Sequence, residues 1–461
     1  MSQASSRSMM VKWFFTIGAP AIVAFVPTNE FFSWQLKWYL VSTLFAILCW
    51  ALEVLPLTPV SIALPLFWTF FGIAEPAVAF SPWSTYVPWM ILSGLIMAMI
   101  LKRTGLLERI AYHCILMTGA SYNGILVGLA ITSFFLTLLV GNVQVPLAAL
   151  SYGICIALNT GKSKASCGIM MVTAMVSLTT LTMSFQGTVA IIVGIGAALN
   201  GDTSLLGFFQ SIFVNLPIIG LMVILTLVSM KLFKPDKTIE GKEYFTQKLE
   251  DLGKLSRDEL KCILVLIIYF AFMLTTRYTG LNLVWGLAFV PLLLCAPVIG
   301  VATAKDFDAV NFGFIIFIAA CISIGAVGVS LGIGQILAQV ILPLVAGKNY
   351  IAFFVISAIA IFGLNFLMTP LAIQSAFTVP LTTIGMSMGL NPMAIYYFIA
   401  CVGDQIILPY EYALYLLPFS FGLIKMGDFI KIMSIKTVLA FATIFLILLP
   451  WWNMVGFLFQ G

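Results

Sequence analysis

Apolar residues fill this chain in long blocks, and polar residues fall between them at a few fixed places. A helix crosses the hydrocarbon of a bilayer with about 20 apolar residues. Roughly eleven stretches approach that length, with cores at 13–26, 38–50, 60–73, 90–101, 125–140, 216–232, 263–274, 283–299, 312–329, 351–367 and 438–451. The pattern predicts an all-α polytopic membrane protein. Some apolar runs are broken by Gly, Pro, Asn or Thr. Gly141-Asn142-Val143-Gln144-Val145-Pro146 interrupts one, and Met368-Thr369-Pro370-Leu371-Ala372-Ile373 interrupts another 227 residues on (141 to 368). Met183-Ser184-Phe185-Gln186-Gly187 and Tyr410-Glu411-Tyr412-Ala413-Leu414 form a second pair with the same separation of 227 (183 to 410). In lipid, irregular backbone is tolerated only where protein covers it or it lines a cavity. Paired breaks in matching positions therefore point to the binding site of a secondary transporter built from inverted repeats.

The remaining polar residues mark the boundary between the halves. Residues 231–261 carry eight bases (Lys231, Lys234, Lys237, Lys242, Lys248, Lys254, Arg257, Lys261) and seven acids (Asp236, Glu240, Glu243, Glu250, Asp251, Asp258, Glu259). Signs that nearly cancel read as a solvated, partly helical connector and not as a nucleic-acid surface. Its bases, with Arg7 and Lys12 of the N-terminal tail, favour the cytoplasmic side. A short amphipathic piece, Thr104-Gly105-Leu106-Leu107-Glu108-Arg109-Ile110, has a counterpart at Leu331-Gly332-Ile333-Gly334-Gln335-Ile336-Leu337, again 227 residues on (104 to 331). Such pieces suit a membrane interface and also suit ordinary loops.

Composition agrees with this picture and narrows the chemistry. Hydrophobic residues are 62% and charged residues 8% of the chain, against about 45 to 50% and about 25% in soluble domains. The first apolar run ends at Pro27 without a small-residue cleavage site and reads as retained. The eight cysteines show no C-x-x-C pair, which indicates packing and neither disulfides nor zinc, and the one histidine, His113, reads as a surface residue. A membrane-embedded enzyme would want clustered acids with metal spacing or a nucleophile beside a base, and the chain has no D-D-x-x-D run. It is read as a transporter, not an enzyme. A passive channel would not need paired broken segments.

Several stretches resemble the divalent anion/sodium symporter family. They are Trp50-Ala51-Leu52-Glu53-Val54-Leu55-Pro56-Leu57, Lys102-Arg103-Thr104-Gly105-Leu106-Leu107-Glu108-Arg109-Ile110-Ala111, Leu255-Ser256-Arg257-Asp258-Glu259, Gly389-Leu390-Asn391-Pro392 and Ile424-Lys425-Met426-Gly427-Asp428-Phe429-Ile430-Lys431. The resemblance runs in consistent order from about residue 38 to the C-terminus. It implies a multi-pass protein of the cell membrane, in bacteria the inner one, with about 11 transmembrane helices plus two re-entrant hairpins, working as a homodimer by an elevator movement. It also implies a division into scaffold helices with an interfacial helix (1–120), a first transport half with hairpin and broken helix (121–215), scaffold helices with a cytoplasmic linker at 233–260 (216–348), and a second transport half (349–461). The implied substrates are small anions, di- or tricarboxylates first and sulfate as an alternative, moved by symport with sodium or protons or by exchange. The family's hairpin tips read Ser-Asn-Thr. Here the first keeps only Asn142, and the second keeps no asparagine, the nearest being Asn365 upstream.

An anion at bilayer depth needs compensating positive potential, and no Lys or Arg lies within the four broken tips. Backbone N–H groups at half-helix starts carry about half a positive charge through the helix dipole. Side-chain donors nearby are Asn142, Gln144, Gln186, Thr188, Thr369, Gln374 and Ser375. The candidate substrate-binding set is Asn142, Val143, Gln186, Gly187, Thr188, Thr369, Pro370, Gln374 and Glu411. The candidate ion-coupling set is Gly141, Asn142, Ser184, Gly187, Asp404 and Glu411, with a candidate sodium site at Asn142; no cofactor other than Na+ is expected. Taken singly, each polar side chain is as well explained by an interhelical hydrogen bond worth about 0.6 kcal/mol. Their concentration at the breaks is what favours ligand roles. Asp404 and Glu411 stand in an apolar stretch with no base nearby in sequence. An acid there costs about 2.5 to 3.5 kcal/mol, so Glu411 is a candidate proton carrier or cation ligand, and Asp404 a helix cap or supporting partner. Glu53 reads as structural.

Overall fold

The computed structural model describes residues 3–29, 32–52, 54–184, 187–200, 206–235, 238–279, 281, 283–332, 349–366 and 369–460. Glu53, Phe185, Gln186, Met368 and the greater part of the 331–337 piece lie outside the described residues. The first half runs α1 (Gln3–Ala24), α2 (Trp34–Leu52), α3 (Leu57–Phe70), α4 (Tyr86–Arg103), α5 (Leu106–Met117), α6 (Tyr122–Val140), α7 (Gln144–Ala157), α8 (Lys164–Met183), α9 (Thr188–Asn200), α10 (Phe208–Val214) and α11 (Leu216–Leu232). The linker helix α12 (Lys242–Asp251) leads to α13 (Arg257–Thr279), α14 (Phe312–Ser330), α15 (Tyr350–Asn365), α16 (Pro370–Ser387), α17 (Pro392–Gly403), α18 (Ala413–Ser420) and α19 (Met426–Thr443). Among the described residues there are no strands, only isolated bridges at Ser121 with Glu240 and Leu390 with Phe459.

This is a multi-pass membrane protein. Five described helices, or six if a bent pair is taken as one span, are long and apolar enough to cross a bilayer. Several expected spans are shortened by proline. The run 283–299 becomes a helix at Leu283–Phe289 and a 3₁₀ turn at Val290–Cys295, because Pro291 and Pro297 withhold the N–H groups a continuous helix requires. The last helix, expected with its core at 438–451, starts at Met426 and widens into a π turn at Ile444–Leu448 before Leu449–Met454. The ring of Pro450 would clash with an ordinary turn, and the π turn relieves that clash.

The halves repeat a capped grammar. Ser121 and Asn349 accept from the third following backbone N–H to start α6 and α15. Ser163 accepts from Ser166 to start α8, and Asn391 caps α17 through Met393 with Pro392 at the first helical position. Both cap pairs are 228 residues apart (121 to 349, 163 to 391). The halves are also exchanged: α9 of the first packs on α16 and α17 of the second, and α18 of the second packs on α7 and α8 of the first. Tyr152 stacks on Phe421 at 4.6 Å across that second junction.

On the linker side, charged residues fasten the amphipathic α5 to the connector. Arg109 meets Glu259 with its guanidinium edge (Nε to Oε1 2.6 Å, Nη2 to Oε2 3.2 Å) and donates also to Leu252 O and Gly253 O. A second fork joins Arg103 of α4 to Asp306 (Nε to Oδ1 2.7 Å), which caps its own short helix, Ala304–Asp308, through Thr303. Desolvation pushes the Asp306 carboxyl up, but the Arg103 and Thr303 hydrogen bonds outweigh it and hold the group below its usual range. A depressed carboxylate lends stability that is complete above its unfolded value of about 3.9 and is lost as pH falls below that. Asp306→Asn should therefore lower the melting temperature of detergent-purified protein at pH 7, by an amount corresponding to about 1 to 3 kcal/mol. The gap from wild type should narrow when the scan is repeated near pH 3.5, and an equal gap at both pH values would remove the carboxylate from the account.

Candidate functional site

Four helices begin at the breaks: α7 at Gln144, α9 at Thr188, α16 at Pro370 and α18 at Ala413. The break before α7 turns on Gly141, whose φ of +85° L side chains rarely adopt. Gln144 Nε2 donates back to Gly141 O at 3.1 Å, closing the tip on itself, and Val143 is fully buried. Asn142 is half-buried, and its amide has no hydrogen-bond partner among the described residues. It lies against Gly94 of α4, where an added Cβ would come within 3.4 Å of Asn142 Nδ2 and 3.2 Å of Val140 O. Glycine at 94 is what lets the tip approach α4 so closely.

In the first broken helix Ser184 and Thr188 are buried, and Gly187 presses on Leu181 so tightly that a Cβ would meet its Cδ2 at 2.5 Å. The last carbonyl of α8, Met183 O, accepts from Ser211 Oγ of α10 at 2.7 Å. Ser211 in turn accepts from Tyr397 OH at 3.3 Å, so a residue of α17 braces the first break. Trp451 and Trp452 donate to Phe213 O and Val214 O at the 65° bend between α10 and α11.

The second broken helix holds the charged centre. After α17 the chain unwinds through 404–408, and its carbonyls are taken one after another by side chains. Asn365 Nδ2 donates to Gly403 O at 3.3 Å and to Gln405 O at 2.8 Å. Lys436 Nζ donates to Asp404 O at 2.7 Å, and Thr437 Oγ1 to Ile406 O at 3.4 Å. Glu411 accepts from the N–H of Ile407 and of Leu408, at 2.7 Å for the latter. Lys436 also reaches Asp404 Oδ2 at 2.7 Å and Gln405 Oε1 at 3.2 Å, and Thr179 of α8 donates to the same Asp404 oxygen at 3.3 Å. The Lys436 ammonium stands 5.5 Å from the centre of the Tyr415 ring.

This corrects the expectation that Asp404 has no base nearby: Lys436 comes from 32 positions downstream on α19. Its signal in the sequence was a lysine five residues past Lys431 on the same helix, just ahead of the span core expected at 438–451. Asn365, passed over because it lies upstream of the tip, is 1% exposed and ties α15 to the unwound segment. Gln374 is buried with its Nε2 beside Gly403, while Gln374 Oε1 and Asn365 Oδ1 find no partner among the described residues. Thr369 and Pro370 sit at the start of α16, adjoining this cluster in the chain. The structure thus gathers Gln374, Asp404 and Glu411 around one unwound segment and places Asn142 at the break before α7, beside α4.

Comparison with known proteins fits this arrangement. A model of the family described as citrate transporter (CitMHS) matches residues 47–403. The sodium-dependent dicarboxylate transporter SdcS of Staphylococcus saprophyticus is 25% identical over 261 residues, 52% of this chain and 49% of that protein. The chain thus spans about half the length of that curated relative. Among solved structures, Neisseria gonorrhoeae MtrF, described with a class of antimetabolite efflux pumps, superposes with a TM-score of 0.57 at 12% identity over 95% of this chain and 96% of its own. The YdaH transporter of Alcanivorax borkumensis gives 0.54 at 12% identity over 97% and 98%. Identities this low speak for the fold alone. The resemblance drawn from the sequence motifs agrees with these matches.

The grip of Glu411 on two backbone N–H groups gives a direct prediction. Glu411→Ala leaves both donors bare in a buried turn, costing about 1 to 3 kcal/mol, whereas Glu411→Gln keeps an acceptor and should cost less. Melting temperatures of the two variants in detergent test this ordering, and equal stability of Glu411→Ala and wild type would detach Glu411 from the turn.

Proposed function

Because the chain belongs to the citrate transporter family, we propose that it is a secondary active transporter of small di- or tricarboxylates, coupled to sodium or protons. The observation that carries the reading is the exchanged packing of the broken halves, with α9 on α16 and α18 on α7. It brings interrupted backbone from both halves into one core, the place where repeat-built carriers keep substrate and ion. Four half-helix starts supply positive potential for a carboxylate without a free base. The orphan acceptors on Asn365 and Gln374 suit a hydroxyl donor or an ordered water. Asn142, with its unengaged amide beside Gly94, is the candidate ligand on the first hairpin.

In the same reading the chain carries about 11 spans with two re-entrant hairpins, at residues 142–160 and 369–388, and forms a homodimer. Residues 1–120 and 216–348 then form the scaffold, and 121–215 with 349–461 the moving part of an elevator. Helix α11 packs against both α8 and α19, which supports moving it with the transport part despite its place after residue 215. The relative's sodium dependence, printed in its name, supports sodium as the first coupling ion to try.

Reconstituted vesicles test the proposal with labelled citrate and succinate under an inward sodium gradient, a proton gradient or neither. Concentrative uptake of one of them under one gradient is expected, and Asn142→Ala should reduce it about 10-fold or more while the protein stays folded. Flux that only equilibrates the label would make the protein a passive pathway, and unchanged uptake by Asn142→Ala would return Asn142 to packing.

A further inference from the structure

The second unwound segment encloses a cation, and the described residues of the first show none. Lys436 lies in the middle of α19 with no exposed surface, and its ammonium meets three oxygens: Asp404 O at 2.7 Å, Asp404 Oδ2 at 2.7 Å and Gln405 Oε1 at 3.2 Å. An ammonium has three donors, so its capacity is filled, and the Tyr415 ring stands near it. A main-chain carbonyl from an unwound helix end, a carboxylate and an amide oxygen form the kind of oxygen cage that holds a coupling cation where membrane helices break.

The first half shows that the charge is not required to close the helix end. In both halves the last helical carbonyl is satisfied by a neutral donor, Met183 O by Ser211 Oγ and Gly403 O by Asn365 Nδ2, and the residue that follows is Ser184 in the first half but the acid Asp404 in the second. Among the described residues Lys436 and Asp404 are therefore peculiar to one half. A buried pair of this kind contributes little stability over a well-packed neutral replacement. A purely structural role accounts for the capped Asp404 carbonyl, but not for an ammonium and a carboxylate where neutral donors cap the neighbouring carbonyls of Gly403, Gln405 and Ile406.

We propose that Lys436 is a tethered cation occupying the place of an exchangeable coupling ion at the second-half site. The second half then stays charged in every state, and ion binding is confined to the first half around Asn142. This rests on the reading of the chain as an ion-coupled carrier, since it takes the unwound segment as one of that carrier's ion positions.

In full-length Lys436→Ala the ammonium is gone and the three oxygens remain. Titrating Na+ against choline at constant ionic strength, with melting temperature as the readout, should give a saturable sodium-specific rise about 2 °C or more above any wild-type response. Adding Asp404→Asn should abolish the gain. An identical sodium response of wild type and Lys436→Ala would overturn the proposal and leave Lys436 as a counter-ion to Asp404. If Lys436→Ala does not fold, the charge-balanced Asp404→Asn/Lys436→Met pair takes its place, with uptake in vesicles expected to fall about 10-fold or more although the protein folds. Wild-type uptake by that pair would equally overturn the proposal. Failure of wild type to transport any carboxylate would defeat the carrier reading alone, because the sodium titration of Lys436→Ala measures binding and not transport.

Discussion

A peptide group left bare in hydrocarbon costs several kcal/mol, and the interior of this protein is organised around that constraint. The chain unwinds where an α-helix would have satisfied its own backbone, so other elements must supply partners. Between Gly403 and Leu408 the carbonyls are taken by Asn365, Lys436 and Thr437 and the amides by Glu411. These partners come from α15, α19 and the turn itself. One unwound segment thus fixes the relative positions of α15, α17 and α19, and Thr179 on Asp404 adds α8. The first segment works in the same way with fewer groups, through Ser211 on Met183 O and Tyr397 behind it.

The ends facing the linker obey a different rule. There charge meets charge, and Arg109 with Glu259 and Arg103 with Asp306 use bidentate geometry to join α5 to the connector and α4 to the short helix Ala304–Asp308. These forks belong to the edge of the bilayer and share no residue with the broken segments. Charged attachment on the linker side and capping by neutral side chains at the broken segments therefore occupy separate zones, with Lys436, Asp404 and Glu411 as the exceptions.

Much of this was legible in the sequence because the apolar pattern is strong and the breaks recur at a constant offset. The capped helix starts at Ser121, Ser163, Asn349 and Asn391 recur in structure at 228, one residue from that offset. What sequence could not supply was pairing across distance. Asp404 looked unpartnered because hydropathy was read in windows, and Lys436 fell in the gap between the Ile424 to Lys431 motif and the expected last span. Glu411 looked like a ligand because an acid at depth is unusual, and only coordinates show it bound to Ile407 and Leu408 N–H. The shortened helices at Leu283–Phe289 and Val290–Cys295 were read as one span because hydropathy is blind to the missing proline donors.

The exchange of half-helices has a consequence for biosynthesis. Helix α7 rests on α18, and α16 rests on α9, so neither helix has its full surroundings until the other half of the chain exists. Synthesis at about 5 to 20 residues per second leaves a wait on the order of tens of seconds between the emergence of α7 and of α18. During that interval α7 and the carbonyls at its neighbouring break must be sheltered by lipid-facing neighbours, by the insertion machinery or by water. Maturation of this protein is thus a late event, completed only when residues near the C-terminus reach the membrane, and truncation there would leave the first half inserted but unfinished.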